Sequence, residues 1–336
     1  VTPPGNRKES SLTKLKDKKL SLEPALWINN CKGLGDVICA TPVARHLSEV
    51  YQKPITVATY QPEVFKRSPY IDRVFDFNKA QHLDKRPKYD IHDTFMWGNW
   101  INNRVIKYAH SNVTITHAMC LGFYLTDEDK TLDFFAKPYK PIKDLPEDYI
   151  VIHPSITWPS RTWTHWQEFI DKCDLPVVIV GKEGPQVPSG EHEEDKGIFK
   201  LNISNGLDLT NKLDLSQTWH ILNKARVIIT TDSGLLHLAG TTDTHIILLN
   251  SMIHPEYKLP YRKGSQYYKV KVLQGTCNKY CASDMKYHLK VHNTIEGLPP
   301  IDKCLENYDT FECHATADQL LDAIDLNTWS NNETYR

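Results

Sequence analysis

The sequence carries almost no net charge: 40 lysines and arginines stand against 41 aspartates and glutamates, leaving −1 over 336 residues. So balanced a chain projects no global field toward nucleic acid or anionic lipid, and either partner would have to meet a local patch. It lacks any apolar run of the roughly 18 residues that a membrane span needs, and its first residues lack the apolar stretch of a secretory signal. The expected setting is therefore cytoplasmic, with peripheral membrane contact left open. No repeat of fixed period is visible, and G-x-S-x-G, the turn that presents a hydrolase serine, does not occur. The single D-x-D, Asp127-Glu128-Asp129 in LTDEDK, reads as the acidic first turn of a helix and not as a metal clamp.

Cysteine is present but not in a secreted-protein pattern. Cys31, Cys39, Cys120 and Cys173 are scattered among apolar residues and read as reduced core or site-edge thiols. Cys277, Cys281, Cys304 and Cys313 cluster late with the spacing C-x3-C-x22-C-x8-C. Zinc ribbons usually keep both ligand pairs two to four residues apart, so the likeness is loose. Free thiols in a loop-rich appendage are the expectation, with structural zinc and disulfide pairing as the alternatives.

At this length two domains of about 150 residues each are expected. Residues 1–24 crowd Arg7, Lys8, Lys14, Lys16, Lys18 and Lys19 around few apolar side chains and read as a flexible basic extension, or as an electrostatic arm. From residue 25 the pattern alternates: ALWINN, a helix from Asp36, ITVATY, a helical PEVFKRSP, RVFDFN and YDIHDTF. That is β-α-β-α-β, the signature of a parallel sheet. After the polar, aromatic MWGNWINNRVIKYAHSN and a short helix around HAMCLGFYL, the proline-rich run 138–146 marks a linker that ends a first domain at 25–145.

The alternation then restarts over 146–314 with YIVIHPS, THWQEFIDKC, PVVIVG, IFKLNI, LSQTWHILNKA, RVIITT, GLLHLAG and THIILLN, the cysteine-containing loops occupying 275–314. A helix in 315–336, with Leu320, Leu321 and Ile324 on one face, is expected to pack back toward the first domain. Two α/β sheets in tandem leave a cleft between them.

Three segments carry chemistry. In NNCKGLGDVICATPVARHL, Gly33 and Gly35 punctuate a strand-turn-helix, but a dinucleotide fingerprint needs a third glycine where Ile38 stands, and the acidic residue about 20 positions later is missing. A nicotinamide enzyme is disfavoured. Asp36, directly after Gly35, is left at the start of a helix without a role in such a fingerprint.

In RVIITTDSGLLHLAG, a buried strand ends at Thr231, turns at Asp232-Ser233-Gly234 and enters a short helix whose first amides point outward, a setting suited to phosphate. Ser233 adds a hydroxyl, and His237 lies one turn on; Asp232 is expected to cap the helix or bind sugar hydroxyls, since it would repel a diphosphate. In HPSITWPSRTWTHW, Ser155 and Arg161 sit at the carboxyl end of a strand, where open α/β sheets bind ligands, and a guanidinium suits phosphate. Trp158 and Trp163 either stack on a base or sugar, or pack the domain.

These three pieces, in the order GLGDVICATPVARHL, IVIHPSITWPSRTWTHWQEF and LDLTNKLDLSQTWHILNKARVIITTDSGLLHLAG, resemble glycosyltransferase family 9, which includes the ADP-heptose:lipopolysaccharide heptosyltransferases; the resemblance spans roughly 25–326. It implies the GT-B fold, two Rossmann-like domains facing each other across a cleft, with the acceptor on the first and a nucleotide-diphosphate sugar, ADP- or UDP-linked, on the second. It further implies an inverting enzyme that needs no cofactor or metal for chemistry and that glycosylates a hydroxyl, on a glycan or lipid-linked saccharide. A DNA base acceptor, gripped by the basic extension and MWGNWINNR, and a non-catalytic sugar-binding module are the alternatives. By the same resemblance Asp36 matches the catalytic base that takes the acceptor's proton, Lys32, Gly33, Gly35 and Trp97 lie on the acceptor side, and Asp232, Ser233, Gly234 and His237 match the diphosphate loop. Arg161 stands where heptosyltransferases tend to carry lysine.

Overall fold

A computed structural model describes residues 22–29, 32–79, 89–94, 112–156, 159–182, 197–281, 283 and 304–325. Two parallel sheets organise it. The first contains β1 (Glu23–Trp27), β2 (Ile55–Thr59), β3 (Ile71–Asp76) and β4 (Tyr89–Asp93) in the order β3-β2-β1-β4. The second contains β5 (Ile150–His153), β7 (Val177–Ile179), β9 (Gly206–Asp208), β10 (Val227–Thr230), β11 (His245–Leu249) and β12 (Val270–Leu273) in the order β12-β11-β10-β5-β7-β9. Every pairing within both sheets is parallel. The central strands ITVAT and VIIT are buried along their whole length, as strands covered by helices on both faces must be.

The helices follow from apolar spacing. Helix α1 (Leu34–Ile38) leads directly into α2 (Thr41–Tyr51), where Pro42 in the first turn has no amide to lose and Val43, Ala44 and Leu47 turn inward. Helix α3 (Val113–Cys120) is capped by the Asn112 side chain, which accepts from the Thr114 amide. In the second domain lie α4 (Trp166–Lys172), α5 (Leu215–Lys224) with an Asp214–Gln217 capping box, and α6 (Gly234–Gly240). The largest apolar cluster crosses between the sheets, joining Leu26, Val37 and Val43 to Leu235, Leu236 and Ile246. Among the described residues no helix is long and apolar enough to cross a membrane.

Four local expectations are corrected. PEVFKRSP forms only a 3-10 turn over Pro62–Val64, since it is short and bounded by Pro69. IFKLNI contributes just β8 (Gly197–Ile198), paired antiparallel with β6 (Ser155–Ile156) outside the main sheet. The sheet edge is instead Gly206–Asp208, and it depends on Gly206: at φ 139° a Cβ there would lie 1.9 Å from the Val177 carbonyl oxygen of the neighbouring strand. The stretch Asp127-Glu128-Asp129 is a turn, closed by Thr126–Asp129 hydrogen bonds and a Lys130–Asp127 pair, not a helix start.

The fourth correction concerns the last helix. Helix α7 (Ala317–Ala323) turns Ala317, Leu320 and Ala323 into the cluster of Trp163, Trp166 and Phe169, and Asp318 pairs with Lys172 of α4. Over its described residues it therefore packs on the second domain and not on the first. The cause lies just upstream, where Gly275 and Cys277 amides donate to the Cys313 and Glu312 carbonyls and tether the returning chain to the end of β12. The proline-rich linker is held against α5: the Lys137 amide donates to Ser216 Oγ, and Tyr139 stacks on His220 at 4.2 Å.

Candidate functional site

Helices α1 and α6 each leave the carboxyl end of a central strand, and their first turns meet. A Cβ on Gly35 would lie 2.5 Å from His237 Cδ2 and 3.3 Å from Gly234 Cα; one on Gly234 would lie 3.1 Å from Leu34 Cβ. Only two glycines allow so close an approach. Neither helix has a side-chain cap: Gly33 precedes α1, and Ser233 precedes α6 with its hydroxyl turned away. That hydroxyl lies 3.1 Å from both His153 Nδ1 and Thr230 Oγ1, while Ser155 Oγ meets Thr231 Oγ1 at 3.1 Å. The hydroxyls singled out in the sequence thus form a network at the ends of β5 and β10.

Asp36 occupies the first turn of α1 with its carboxylate folded toward Gly33, where an added Cβ would stand 2.9 Å from Oδ2. It keeps a partial opening to solvent, yet the surrounding protein strips enough hydration to raise its carboxyl pKa. The nearby Lys258 and Arg161 charges oppose that rise, and Asp232 adds to it. A helix N-terminus alone would have lowered the pKa; burial outweighs it here. His117, on α3, lies 2.9 Å from the Asp36 carbonyl through Nε2, and burial lowers its own pKa to about 4, so it holds α1 as a neutral ring.

Asp232 is not a helix cap. Its carboxylate faces Arg161, Nη2 to Oδ2 at 3.0 Å, and Lys258 at 3.5 Å, and the same guanidinium donates to the Asp232 carbonyl. Although burial alone would raise it, the Arg161, Lys258 and His237 neighbours hold its carboxyl below the ordinary value. His237 is buried, its pKa lowered to about 4 mainly by desolvation, and its Nδ1 lies 3.2 Å from Cys39 Sγ of the first domain. The side chains that meet in this junction are therefore Asp36, Cys39, Arg161, Asp232, His237 and Lys258. Sequence reasoning missed Lys258, His117 and His153, none of which lies in a recognisable spacing; His153 had only its place at a strand end to mark it.

The remaining candidates lie apart or elsewhere. Lys32 is exposed, with its ammonium 5.4 Å from the centre of the Tyr60 ring. Trp163 packs the domain: its Nε1 donates to the Ala315 carbonyl and its ring meets Trp166 edge-on at 4.7 Å. Trp97, Trp158, the basic extension over 1–21 and most of MWGNWINNRVIKYAHSN lie outside the described residues.

The late cysteines lie within electrostatic reach of one another, and burial, reinforced by the neighbouring thiols, pushes Cys281 up to about 11 and Cys313 up to about 12. A set of four thiols suits zinc or iron chemically. Yet among the described residues no three His, Cys, Asp or Glu side chains are arranged to hold a metal, and all seven described cysteines are free thiols.

Comparison with known proteins closes on this geometry. No curated protein matches the chain in sequence. Among solved structures it is similar to TibC, an iron-containing dodecameric glycosyltransferase from enterotoxigenic E. coli, at TM-score 0.63 and 17% identity, covering 91% of this chain and 76% of that one. It is equally similar to TibC in complex with ADP-D-β-D-heptose, at TM-score 0.62 with the same identity and coverage. A family 9 glycosyltransferase from Veillonella parvula gives 0.58 and 15% identity, covering 91% and 97%. These likenesses show the fold, GT-B. Residues 109–288, more than half of the sequence, match the family described as glycosyltransferase family 9 (heptosyltransferase), and to that family of glycosyltransferases the chain belongs.

Proposed function

We propose that this chain transfers a sugar, most plainly a heptose, from an ADP-linked donor to a hydroxyl of a glycan or lipid-linked saccharide, with inversion at the anomeric carbon and without a metal for the chemistry. The observation that carries the reading is the position of Asp36, a carboxylate with a raised pKa that faces the Arg161–Asp232–Lys258 cluster across a glycine-on-glycine contact. The family description and the ADP-heptose complex of TibC support the donor.

The step is a single displacement. The acceptor oxygen forms a bond to the anomeric carbon, the bond from that carbon to the diphosphate oxygen breaks, and the acceptor proton passes to Asp36. A carboxylate of raised pKa is the stronger base, and the Lys258 and Arg161 charges oppose the rise that burial causes. The departing nucleoside diphosphate gains charge. Arg161, Lys258 and the first amides of α6 supply donors for it, and the neutral His237 supplies a hydrogen bond without charge.

The test is direct. Calorimetry with ADP, UDP, GDP and CDP is expected to show ADP binding tightest, and NMR of the product from ADP-heptose is expected to show the inverted anomer. A retained anomer, or binding of none of the four nucleotides, would overturn the reading. Steep loss of acceptor affinity with rising salt would favour a DNA acceptor over a glycan.

A further inference from the structure

Residues 312–315, just upstream of α7, form a strap at the carboxyl edge of the second sheet. One side of it lies on the residues that follow β12. There the Gly275 amide donates to the Cys313 carbonyl at 2.9 Å, the Cys277 amide to the Glu312 carbonyl at 3.0 Å, and Gln274 Nε2 to the Cys313 carbonyl at 2.9 Å. A Cβ on Gly275 would stand 2.3 Å from the Glu312 oxygen and 2.4 Å from the His314 oxygen, so only glycine admits the strap. The other side grips the segment that follows β5, which lies beyond β11 and β10 in the strand order. Trp163 Nε1 donates to the Ala315 carbonyl at 2.6 Å, and His314 Nε2 lies 2.9 Å from the Ser160 carbonyl oxygen.

A carbonyl oxygen only accepts, so the contact with Ser160 is a donation from His314 Nε2. The accepting oxygen belongs to the peptide that joins Ser160 to Arg161, inside the 3-10 turn Pro159–Arg161. A peptide unit is planar; holding its oxygen also fixes the Arg161 nitrogen and Cα, and with them the direction in which the side chain leaves the backbone. With Ser160 only 1% exposed, little water could take the place of the lost donor. At the far end of that side chain the guanidinium meets the carboxylate and the carbonyl of Asp232. His314 is itself held without help from Arg161: its amide donates to the Phe311 carbonyl at 2.8 Å, and its ring stacks on Phe311 at 5.4 Å.

We infer that His314, which lies outside the junction, is a positioning residue: through the Ser160 carbonyl it aims the Arg161 side chain, and so ties the strap between the cysteine-bearing loops and the last helix to the transfer reaction. The inference rests on the proposed role of Arg161 toward the diphosphate and adds to it the residue that sets its direction. The two contacts of the strap with the segment after β5 do different work. The bond from Trp163 to Ala315 docks the strap on the apolar cluster of Trp163, Trp166 and Phe169, whereas the bond from His314 acts on the one peptide that carries Arg161. The first should therefore govern stability and the second affinity.

The test is calorimetry with ADP on the full chain. His314→Phe keeps a ring to stack on Phe311 and removes the donor; His314→Gln carries an amide to the place of Nε2. His314→Phe is expected to bind ADP about tenfold more weakly than wild type, His314→Gln within about threefold of it, and Arg161→Ala weaker by about tenfold or more. Adding His314→Phe to Arg161→Ala should cost less than about twofold further, because no guanidinium is left to aim. Trp163→Phe should lower the melting temperature yet hold ADP affinity within about threefold. Unchanged affinity in a folded His314→Phe protein, the same loss with and without Arg161, or equal losses for Trp163→Phe and His314→Phe would each overturn the inference. Should His314→Phe fail to fold, His314→Asn takes its place, since its amide ends short of Nε2; ADP affinity equal to that of His314→Gln would likewise overturn it. Wild-type affinity in Arg161→Ala would overturn the donor role of Arg161 and the inference together, whereas a weakened Arg161→Ala with an additive double variant overturns the inference alone.

Discussion

Cys39 of the first domain and His237 of the second meet across the junction, Sγ to Nδ1 at 3.2 Å, with both side chains buried. Burial raises the thiol far above its ordinary pKa and lowers the imidazole to about 4, so at neutral pH both are uncharged. A thiol that donates to Nδ1 leaves the ring proton on Nε2, beside Gly35. Cys39→Ser, which preserves the donor, is expected to keep ADP affinity within about threefold, and Cys39→Val to weaken it by about tenfold, or 1.4 kcal/mol. Equal affinities for the two variants would show that the thiol does not set the tautomer.

Asp36→Asn is expected to lower transfer by about 100-fold or more while ADP affinity stays within about threefold. The same change carries a stability signature. Because burial raises the carboxyl pKa, the ionised side chain is costly in the folded state above that pKa, and the cost disappears once both folded and unfolded chains are protonated. The variant should therefore melt higher than wild type at pH 7 and not in acid. A variant melting no higher at pH 7, or losing ADP binding, would contradict the assignment.

The wild-type pH profile follows from the same shift. A general base works only when ionised, so kcat/KM should fall as pH falls through a limb above the ordinary carboxylate range. His237, near 4, should add no limb between pH 5 and 8. An acid limb at or below the usual aspartate value would remove Asp36 from the role.

The glycine contact makes a steric prediction. Gly234→Val is expected to weaken ADP binding at least tenfold, about 1.4 kcal/mol, by pushing a side chain against Leu34 and the path to the helix amides. Gly35→Ala, whose methyl would meet His237 at 2.5 Å, should weaken it too, by separating the domains. Both are read by calorimetry on variants whose circular dichroism matches wild type; unchanged affinity in folded Gly234→Val would refute the donor loop.

Transfer should persist in excess EDTA, because protein cations meet the charge on the diphosphate. Activity lost to chelation and restored by Mg or Mn would reverse this reading of the chemistry.

Local chemistry in the sequence was enough to indicate two parallel sheets, since continuous apolar runs such as ITVAT and VIIT alternate with helical spacing and suit strands buried on both faces. It also marked the two strand-to-helix turns, because glycine beside an acidic residue at such a turn stands out without any knowledge of the fold. What it left open depended on partners distant in the chain. Asp232 pairs with Arg161, 71 positions away, and not with its own helix; Cys39 reaches His237 across 198 positions. Lys258, in the unremarked HPEYK, joins the junction on a turn whose Glu256 and Leu259 carbonyls are held by both Asn112 and Gln266. The last helix chose the second domain because the backbone bonds at Gly275 and Cys277 bring it there. Spacing along a chain specifies which face of an element is apolar and where a turn must fall; which charges meet, and how far burial shifts them, is decided only when the two sheets close on each other.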